Sequence, residues 1–579
     1  AAAWNVGAQP LGAEMLKETR FEKGAGGAWN LEQHGDARAT ATAKDGLAVT
    51  IDNTDGVDWH IQLTQGHVAL SKSQSYTLTF SARADSPLRM VVCASQAHSP
   101  WASLWMENVK LGPEMKEYRL AFRPGADEEN ARICFSDLGA NKTGVLFKNA
   151  SLRPGGVSGL QAAEQWGSVP PFKKPDLGMR TKAAQDDWMA FLFDTESHYW
   201  TGMRQYLKED LKAHSLIVGT SAPFSPGVIQ SAMDIVDGHA YWQHPQFPGK
   251  PWDPGNWKIK NVPMAGDPAG GTLASLAGYR VAGKPYICTE YNEPAPNVHA
   301  SEAFLLLGAY ASLQDWDGLF VFAYSHSNEN WDARKIVSFF NIDQNPGKLV
   351  TLPAVETMFL RGDIAMARRL LDFPVTREDA MNACLQSGVW WSLQRFGMKD
   401  MTPLISRVAQ DPITGAQPVQ PGDTAVARSD TGELTWDTKQ RRVLIDSPRN
   451  KAVIGSICGP VKLGDITIDP MPDTLGWSAI TATEIKPRDW LITATGYEEN
   501  TGMKWTGPAM ESVGRDWGTA PSRVEGIAAR ITVPWGGVKA FALDGRGQPG
   551  KQIPVTESEG KTTVEIGPAY QTLWYEIRD

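Results

Sequence analysis

The sequence predicts a multidomain α/β plus all-β chain, with a β-sandwich ahead of an α/β segment and one or two further β domains behind it. Three observations carry this reading. Short runs near both ends alternate apolar and polar residues, the middle holds continuously apolar runs separated by helix-period stretches, and 579 residues suffice for about three or four domains.

Residues 12–156 read as a compact sandwich. SYTLTFSARAD (75–85), RMVVCAS (89–95), EYRLAFRP (117–124) and ARICFSDL (131–138) alternate in polarity between turn residues. A linker, 157–185, is rich in Pro and Gly, and regular structure is not expected to persist in EQWGSVPPFKKPDLG (164–178). From 186 the period becomes that of one long amphipathic helix, on which Trp188, Leu192, Tyr199, Met203, Tyr206, Leu207 and Leu211 recur.

Four apolar runs then alternate with helical stretches as far as about residue 372: HSLIVGTS (214–221), MDIVDGHAYW (233–242), KPYICTEYN (284–292) and DGLFVFAYSHS (317–327). Strands buried on both faces and separated by helices indicate a parallel sheet. In three of the four, polar or aromatic residues gather at the C-terminal end, where a (β/α)₈ barrel keeps its chemistry. Four strands are half of what closure needs. A partly helical connector, 373–421, leads to β alternation over 422–579, seen in TGELTWDTKQRRVLIDSP (431–448), DWLITATGY (489–497) and TTVEIGPAYQTLWYEI (562–577).

Composition narrows the function. With 42% hydrophobic and 21% charged residues the chain is globular, and its net charge of −9 is spread without long single-sign runs, which argues against nucleic acid or anionic lipid as a partner. No apolar stretch reaches the roughly 20 residues of a membrane span. The expected location is secreted or periplasmic, with a signal not present in this chain. Five cysteines without metal-ligand spacing read as buried thiols, of which Cys93 and Cys134, in strand runs of one module, could pair. Trp is unusually abundant, 22 residues against 13 Tyr and 19 Phe, and indole rings either stack on sugar faces or fill cores.

CTEYNEP (288–294) is the most specific motif. A retaining glycosidase needs a carboxylate nucleophile and a carboxylic acid about 5 to 5.5 Å apart across the anomeric carbon, and Glu290, ending a buried strand, suits the nucleophile. In DGHAYWQHPQFPGKPW (237–252), alternation sends His239 and Tyr241 to one face, where the phenol can donate to Glu290 and keep it ionised. His239 and His244 lack a carboxylate at ligand spacing, so no metal is expected, and no organic cofactor is implied. The last strand offers Tyr324 and His326, with Trp331 in the loop that follows. In the sandwich, DWHIQL (58–63) and SPWASLW (99–105) supply Trp59, Gln62, Trp101 and Trp105, aromatics beside polar groups as sugar binding requires, with buried core Trp the alternative.

Residues 186–221, 237–257, 284–297 and 315–342 together resemble the second half of the barrel of a bacterial cellulase-like retaining glycoside hydrolase, whose clan carries an acid/base glutamate after strand four and a nucleophilic glutamate after strand seven. The resemblance implies that the four runs are strands five to eight over 186–372, that Glu290 is the nucleophile, and that Tyr241 is the aromatic that hydrogen-bonds it. Asn292-Glu293 mimics the Asn-Glu pair of the clan's acid but lies at strand seven, so Glu293 is expected to shape the pocket or bind sugar. Residues 1–11 resemble the end of a barrel excursion, and 12–156 resemble an inserted carbohydrate-binding sandwich. Strands one to four and the acid/base would then be absent from this polypeptide, through a fragment or a second chain.

The expected function is double-displacement hydrolysis of a β-linked polysaccharide, a β-1,4-glucan or mannan. Trp242, Trp252, Trp257 and Trp331 would form an open stacking rim, while His239, His244, Asn292, Tyr324 and His326 bind hydroxyls. The alternative is a non-hydrolytic carbohydrate-binding protein with an incomplete barrel.

Overall fold

A computed structural model describes residues 1–161, 164–222, 224–326, 331–386, 392–413 and 415–579. The chain divides into two compact units, Ala1–Leu192 and Phe193–Asp579.

The first unit is built on a ten-stranded sandwich. Its strands are β1 (Asn30–Gln33), β2 (Arg38–Ala43), β3 (Leu47–Asn53), β4 (Ile61–Leu70), β5 (Tyr76–Ala84), β6 (Leu88–Gln96), β7 (Ser103–Leu111), β8 (Lys116–Phe122), β9 (Glu128–Ser136) and β10 (Gly144–Pro154). They form two antiparallel sheets, β1-β4-β9-β6-β7 and β2-β3-β10-β5-β8. Because side chains alternate across each strand, every second residue enters one shared core. Phe135 lies at its centre, fully buried, with ring centroids of Phe80 and Phe147 each at 4.9 Å and of Trp29 at 5.5 Å.

The two ends of the sandwich are tied together. Gly12 N donates to Pro154 O at 2.8 Å, Gly156 N to Gln9 O at 2.7 Å, and Gln9 N to Val157 O at 2.7 Å. Gly155 makes this closure possible: it has φ +82°, and a β-carbon there would collide with the Pro10 carbonyl. The expected linker is more ordered than its Pro and Gly content suggests. It carries a short helix, Lys174–Leu177, and Phe172 packs with Trp4, whose indole N–H donates to Asp187 at 2.7 Å.

In the second unit, three parallel strands lie in the order β11-β12-β13: β11 (Val236–Tyr241), β12 (Tyr286–Asn292) and β13 (Gly318–Val321). Helices Gly271–Ala277 and Ala303–Gln314 make the crossovers. The second is apolar on nearly every side and accordingly buried. The expected fourth strand, 214–221, is not one: Val218 makes a single parallel bridge to Ile235. The Ile217 carbonyl accepts from the Asp234 and Ile235 amides, but its own amide leaves the ladder and donates to Asp234 Oδ2, and Asp234 is itself held by Arg204 and Lys208. The region built from these runs is thus a three-stranded parallel sheet extended by one bridge.

The connector holds the helix Arg377–Gln386 together with a parallel pair that periodicity does not reveal, β14 (Leu370–Pro374) and β15 (Arg407–Asp411); residues 387–391 lie outside the described residues. Beyond it, a nine-stranded antiparallel sheet, with Val426–Arg428 and Pro549–Ile553 at its edges, shares one core with a five-stranded sheet. Among the described residues no helix is long and apolar enough to cross a membrane.

Phe135→Ala should lower the stability of the sandwich by about 3 to 5 kcal/mol, the usual cost of deleting a fully buried aromatic ring. Urea titration followed by the near-ultraviolet signal measures this, and a loss below about 1 kcal/mol would show that Phe135 is not central to the core.

Candidate functional site

Parallel pairing sets β11 and β12 side by side with His239 opposite Glu290 and Tyr241 opposite Asn292. A register irregularity between Gly238 and His239 accompanies this alignment of the two strand ends. Tyr241 Oη donates to Glu290 Oε2 at 2.5 Å, and His239 Nδ1 stands 3.7 Å from the same oxygen. Burial and the adjoining Glu290 carboxylate push the Tyr241 phenol far above its ordinary range, so it remains a protonated donor. Asp237 accepts from the amide and hydroxyl of Thr289, at 3.0 and 2.5 Å, and thereby holds the residue next to Glu290. Burial raises the Asp237 carboxyl to about 6.

Glu290 and Tyr241 open into a cleft of about 730 Å³ with His244, Trp252, Phe322, His326 and the segment from Val337 to Asn341 in its walls. His244 meets Tyr241 edge-on at 5.4 Å, and His326 Nδ1 is 2.6 Å from Asn341 Oδ1. Trp252 is 59% exposed and packs on Phe247 at 4.9 Å and His244 at 5.9 Å. Phe339, Phe340 and Asn341 were not singled out by the sequence. Their only signal was an aromatic pair after the last strand. Among the described residues lining the cleft, Glu290 carries the one carboxylate.

Other expected site residues fall elsewhere. Trp257 is 3% exposed and packs on Phe339 and Trp517 at 4.7 and 5.7 Å, so it is core and not rim. Trp242 is half-buried, with its N–H donating to Val262 O at 2.9 Å. Tyr324 and Trp331 are exposed and lie 6.3 Å apart, outside the cleft lining. Asn292 is fully buried and donates to Phe322 O and Phe340 O at 2.6 and 2.7 Å, while its Oδ1 accepts from Lys348 Nζ at 2.8 Å; its amide is fully engaged and unavailable to sugar.

Glu293 is also corrected. It is buried, and neither carboxylate oxygen has a hydrogen-bond partner among the described residues. Burial and the neighbouring Glu302 push its carboxyl well above the carboxylate range, against the pull of Lys348. It is absent from the cleft lining among the described residues.

On the sandwich, the solvent face of β1-β4-β9-β6-β7 carries a polar row. Arg132 Nη1 donates to both oxygens of Glu32, at 2.9 and 3.0 Å, and Arg132 Nε donates to Ser95 Oγ at 3.1 Å, while Thr64 Oγ1 donates to Glu32 at 2.8 Å. Trp101, 54% exposed, lies over the Arg132 guanidinium at 5.0 Å. Trp59 is exposed beside His34 and His60, at 5.3 and 4.5 Å. Gln62 is buried and accepts from the Cys134 thiol at 3.0 Å. Cys93 and Cys134 are register partners on β6 and β9, and both are free thiols; Cys458 is exposed, not buried. Trp105 points the other way, stacked on Phe122 at 4.3 Å. Arg132 and Glu32 were missed because charged residues on strands read as ordinary solvated positions.

The Glu293 environment gives a pH test. A carboxyl whose folded pKa lies above its unfolded value loses stability as pH rises, because the unfolded chain ionises first. Glu293→Gln removes that liability, so its melting temperature relative to the parent should rise by a few degrees between about pH 5 and pH 8. A difference that is flat or falls with pH would show that Glu293 is ionised and paired in the fold.

Residues 13–137 match the family model described as "Carbohydrate binding domain", CBM_4_9. A solved structure titled "CBM4 structure and function" is 26% identical, with 24% of this chain and 96% of that chain covered and a TM-score of 0.22. The second N-terminal cellulose-binding domain of a Cellulomonas fimi β-1,4-glucanase C is 18% identical, covering 25% and 95%, with a TM-score of 0.22. A CBM22-1 xylan-binding domain from Paenibacillus barcinonensis is 10% identical, covering 25% and 96%, with a TM-score of 0.20. No curated protein matches the chain. The match spans the sandwich from ahead of β1 to the end of β9, and the first unit carries a carbohydrate-binding module of the CBM4/9 type.

Proposed function

We propose that the second unit is a retaining glycoside hydrolase acting on a β-linked polysaccharide, a β-1,4-glucan or mannan, outside the cytoplasm, with the sandwich holding the polymer. The observation that carries this reading is the Tyr241 to Glu290 hydrogen bond at the floor of an aromatic cleft. Glu290 attacks the anomeric carbon and forms a glycosyl ester. Tyr241 holds one carboxylate oxygen, leaving the other free to attack. Trp252 offers a stacking face, and His244, His326 and Asn341 offer hydroxyl partners.

Double displacement also needs a proton donor about 5 to 5.5 Å from Glu290. In this proposal it comes from strands that extend the β11-β12-β13 sheet, in a second polypeptide or further segment packing on the exposed apolar side chains Tyr199, Met203, Leu216 and Phe320. One observation favours the second reading, a non-hydrolytic carbohydrate-binding protein: Glu290 is the one carboxylate among the described cleft residues.

Covalent trapping separates the two. A 2-deoxy-2-fluoro β-glucoside or β-mannoside should add one sugar mass to Glu290, located by peptide mass spectrometry; an active polysaccharide-degrading preparation that forms no adduct there would remove Glu290 from the mechanism. Glu290→Gln should lower hydrolysis by several orders of magnitude with polysaccharide binding nearly intact, because an amide cannot form the ester. Tyr241→Phe should lower kcat by roughly 10- to 1000-fold, the range of a strong transition-state hydrogen bond, and an unchanged kcat would place the phenol outside the reaction.

A further inference from the structure

We infer that the first unit holds a second saccharide site, distinct from the Trp101 face, that takes a sugar bearing a carboxylate. The inference rests on the module's carbohydrate binding and is independent of the hydrolase proposal.

The site is a groove of about 420 Å³ in which Trp105 faces Ser75, Arg123, Arg180, Lys182 and Gln185. Trp105 is on β7, the edge of its sheet, and its register partner is Ala94, a core-facing residue of β6. Side chains on register partners share a face, so Trp105 lies on the side of the sheet opposite Arg132 and Trp101. Its ring stacks on Phe122 at 4.3 Å and 13°, which fixes it as a flat platform. The other wall, 178–185, lies beyond the 13–137 span matched by the module family.

Charge selects the ligand. Three cations and no carboxylate line the groove among the described residues. Arg180 is 5% exposed, stacked over Phe172 at 4.1 Å and held by both oxygens of Glu164, and its Nε is buried without a partner. Lys182 pairs with Asp186 at the surface, where both are largely exposed and an incoming carboxylate can take Asp186's place. The Arg123 side chain makes no hydrogen bond or ion pair with any described residue, yet it borders the platform. A fixed indole beside a free guanidinium matches a pyranose whose C–H face stacks while its carboxylate accepts a forked pair of N–H bonds.

The test is calorimetric titration of the full chain carrying Trp101→Ala, which silences the sheet face. The probes are a glucuronic-acid-substituted xylo-oligosaccharide and the same oligosaccharide without the acid. The acid form should bind about tenfold tighter or better, the effect of a charge-assisted hydrogen bond, and the preference should shrink as salt rises. Adding Arg123→Gln, an exposed change that leaves the fold intact, should abolish the preference. Equal affinity for the two probes, no binding of the acid form, or a preference that survives Arg123→Gln would each overturn the site. Binding of the neutral probe that the parent chain shows and Trp101→Ala loses reports on the Trp101 face, so the two readings fail separately.

Discussion

The buried ammonium of Lys348 is the constraint on which the cleft depends. It donates to Asn292 Oδ1 and to the Glu293 carbonyl, and the Asn292 amide in turn holds the carbonyls of Phe322 and Phe340. One knot therefore joins the end of β12, the residue after β13 and the aromatic cleft wall. Glu290 stands two residues before Asn292 in the same strand, so its position follows from the knot. A lysine taken fully out of water is strongly disfavoured unless its protons find acceptors and opposite charge. Burial lowers the Lys348 pKa, while Glu498 pulls it back up, and Glu498, pushed up to about 7 by its own burial, brings a strand from beyond the connector to the same point. The cleft is thus fastened from behind by polar groups that never face it.

The sandwich solves a different problem with related means. Its solvent face places Arg132 among Glu32, Ser95 and the ring of Trp101. A guanidinium held at two nitrogens, Nη1 on Glu32 and Nε on Ser95, loses little further freedom on binding, and the Trp101 ring lies against it with more than half of its surface exposed. Sugar recognition asks for that combination of fixed donors beside a flat apolar surface. The family match gives the first unit a carbohydrate-binding module.

Local order made part of this legible. Glu290 and Tyr241 end continuously apolar runs, and strand alternation alone put His239 and Tyr241 on one face. The sandwich could be read because each strand alternates against one core. The placing of Trp257 and Glu293 escapes local pattern for a shared reason: Phe339 and Trp517 in one case and Lys348 in the other are far away in sequence. Gln62 is buried within the outward row of β4 with its carbonyl taken by the Cys134 thiol, a partner that no local pattern reveals. The run 214–221 has the composition of a strand, but a strand forms only where a neighbour supplies a ladder, and Asp234 took the amide of Ile217 instead.

By itself the sequence determined the order of β, α/β and β regions, the strand end that carries Glu290, and the aromatic and polar supply of the sandwich. All three follow from periodicity and residue type, which act over a few neighbouring residues. Tertiary structure alone decided which tryptophans meet solvent, which carboxylates are buried, and that residues 337–341 close the cleft with Tyr241 and Glu290. Burial and pairing are properties of groups brought together by the fold across many residues, and the electrostatic penalty of leaving water is set by those partners, not by the chain's local pattern.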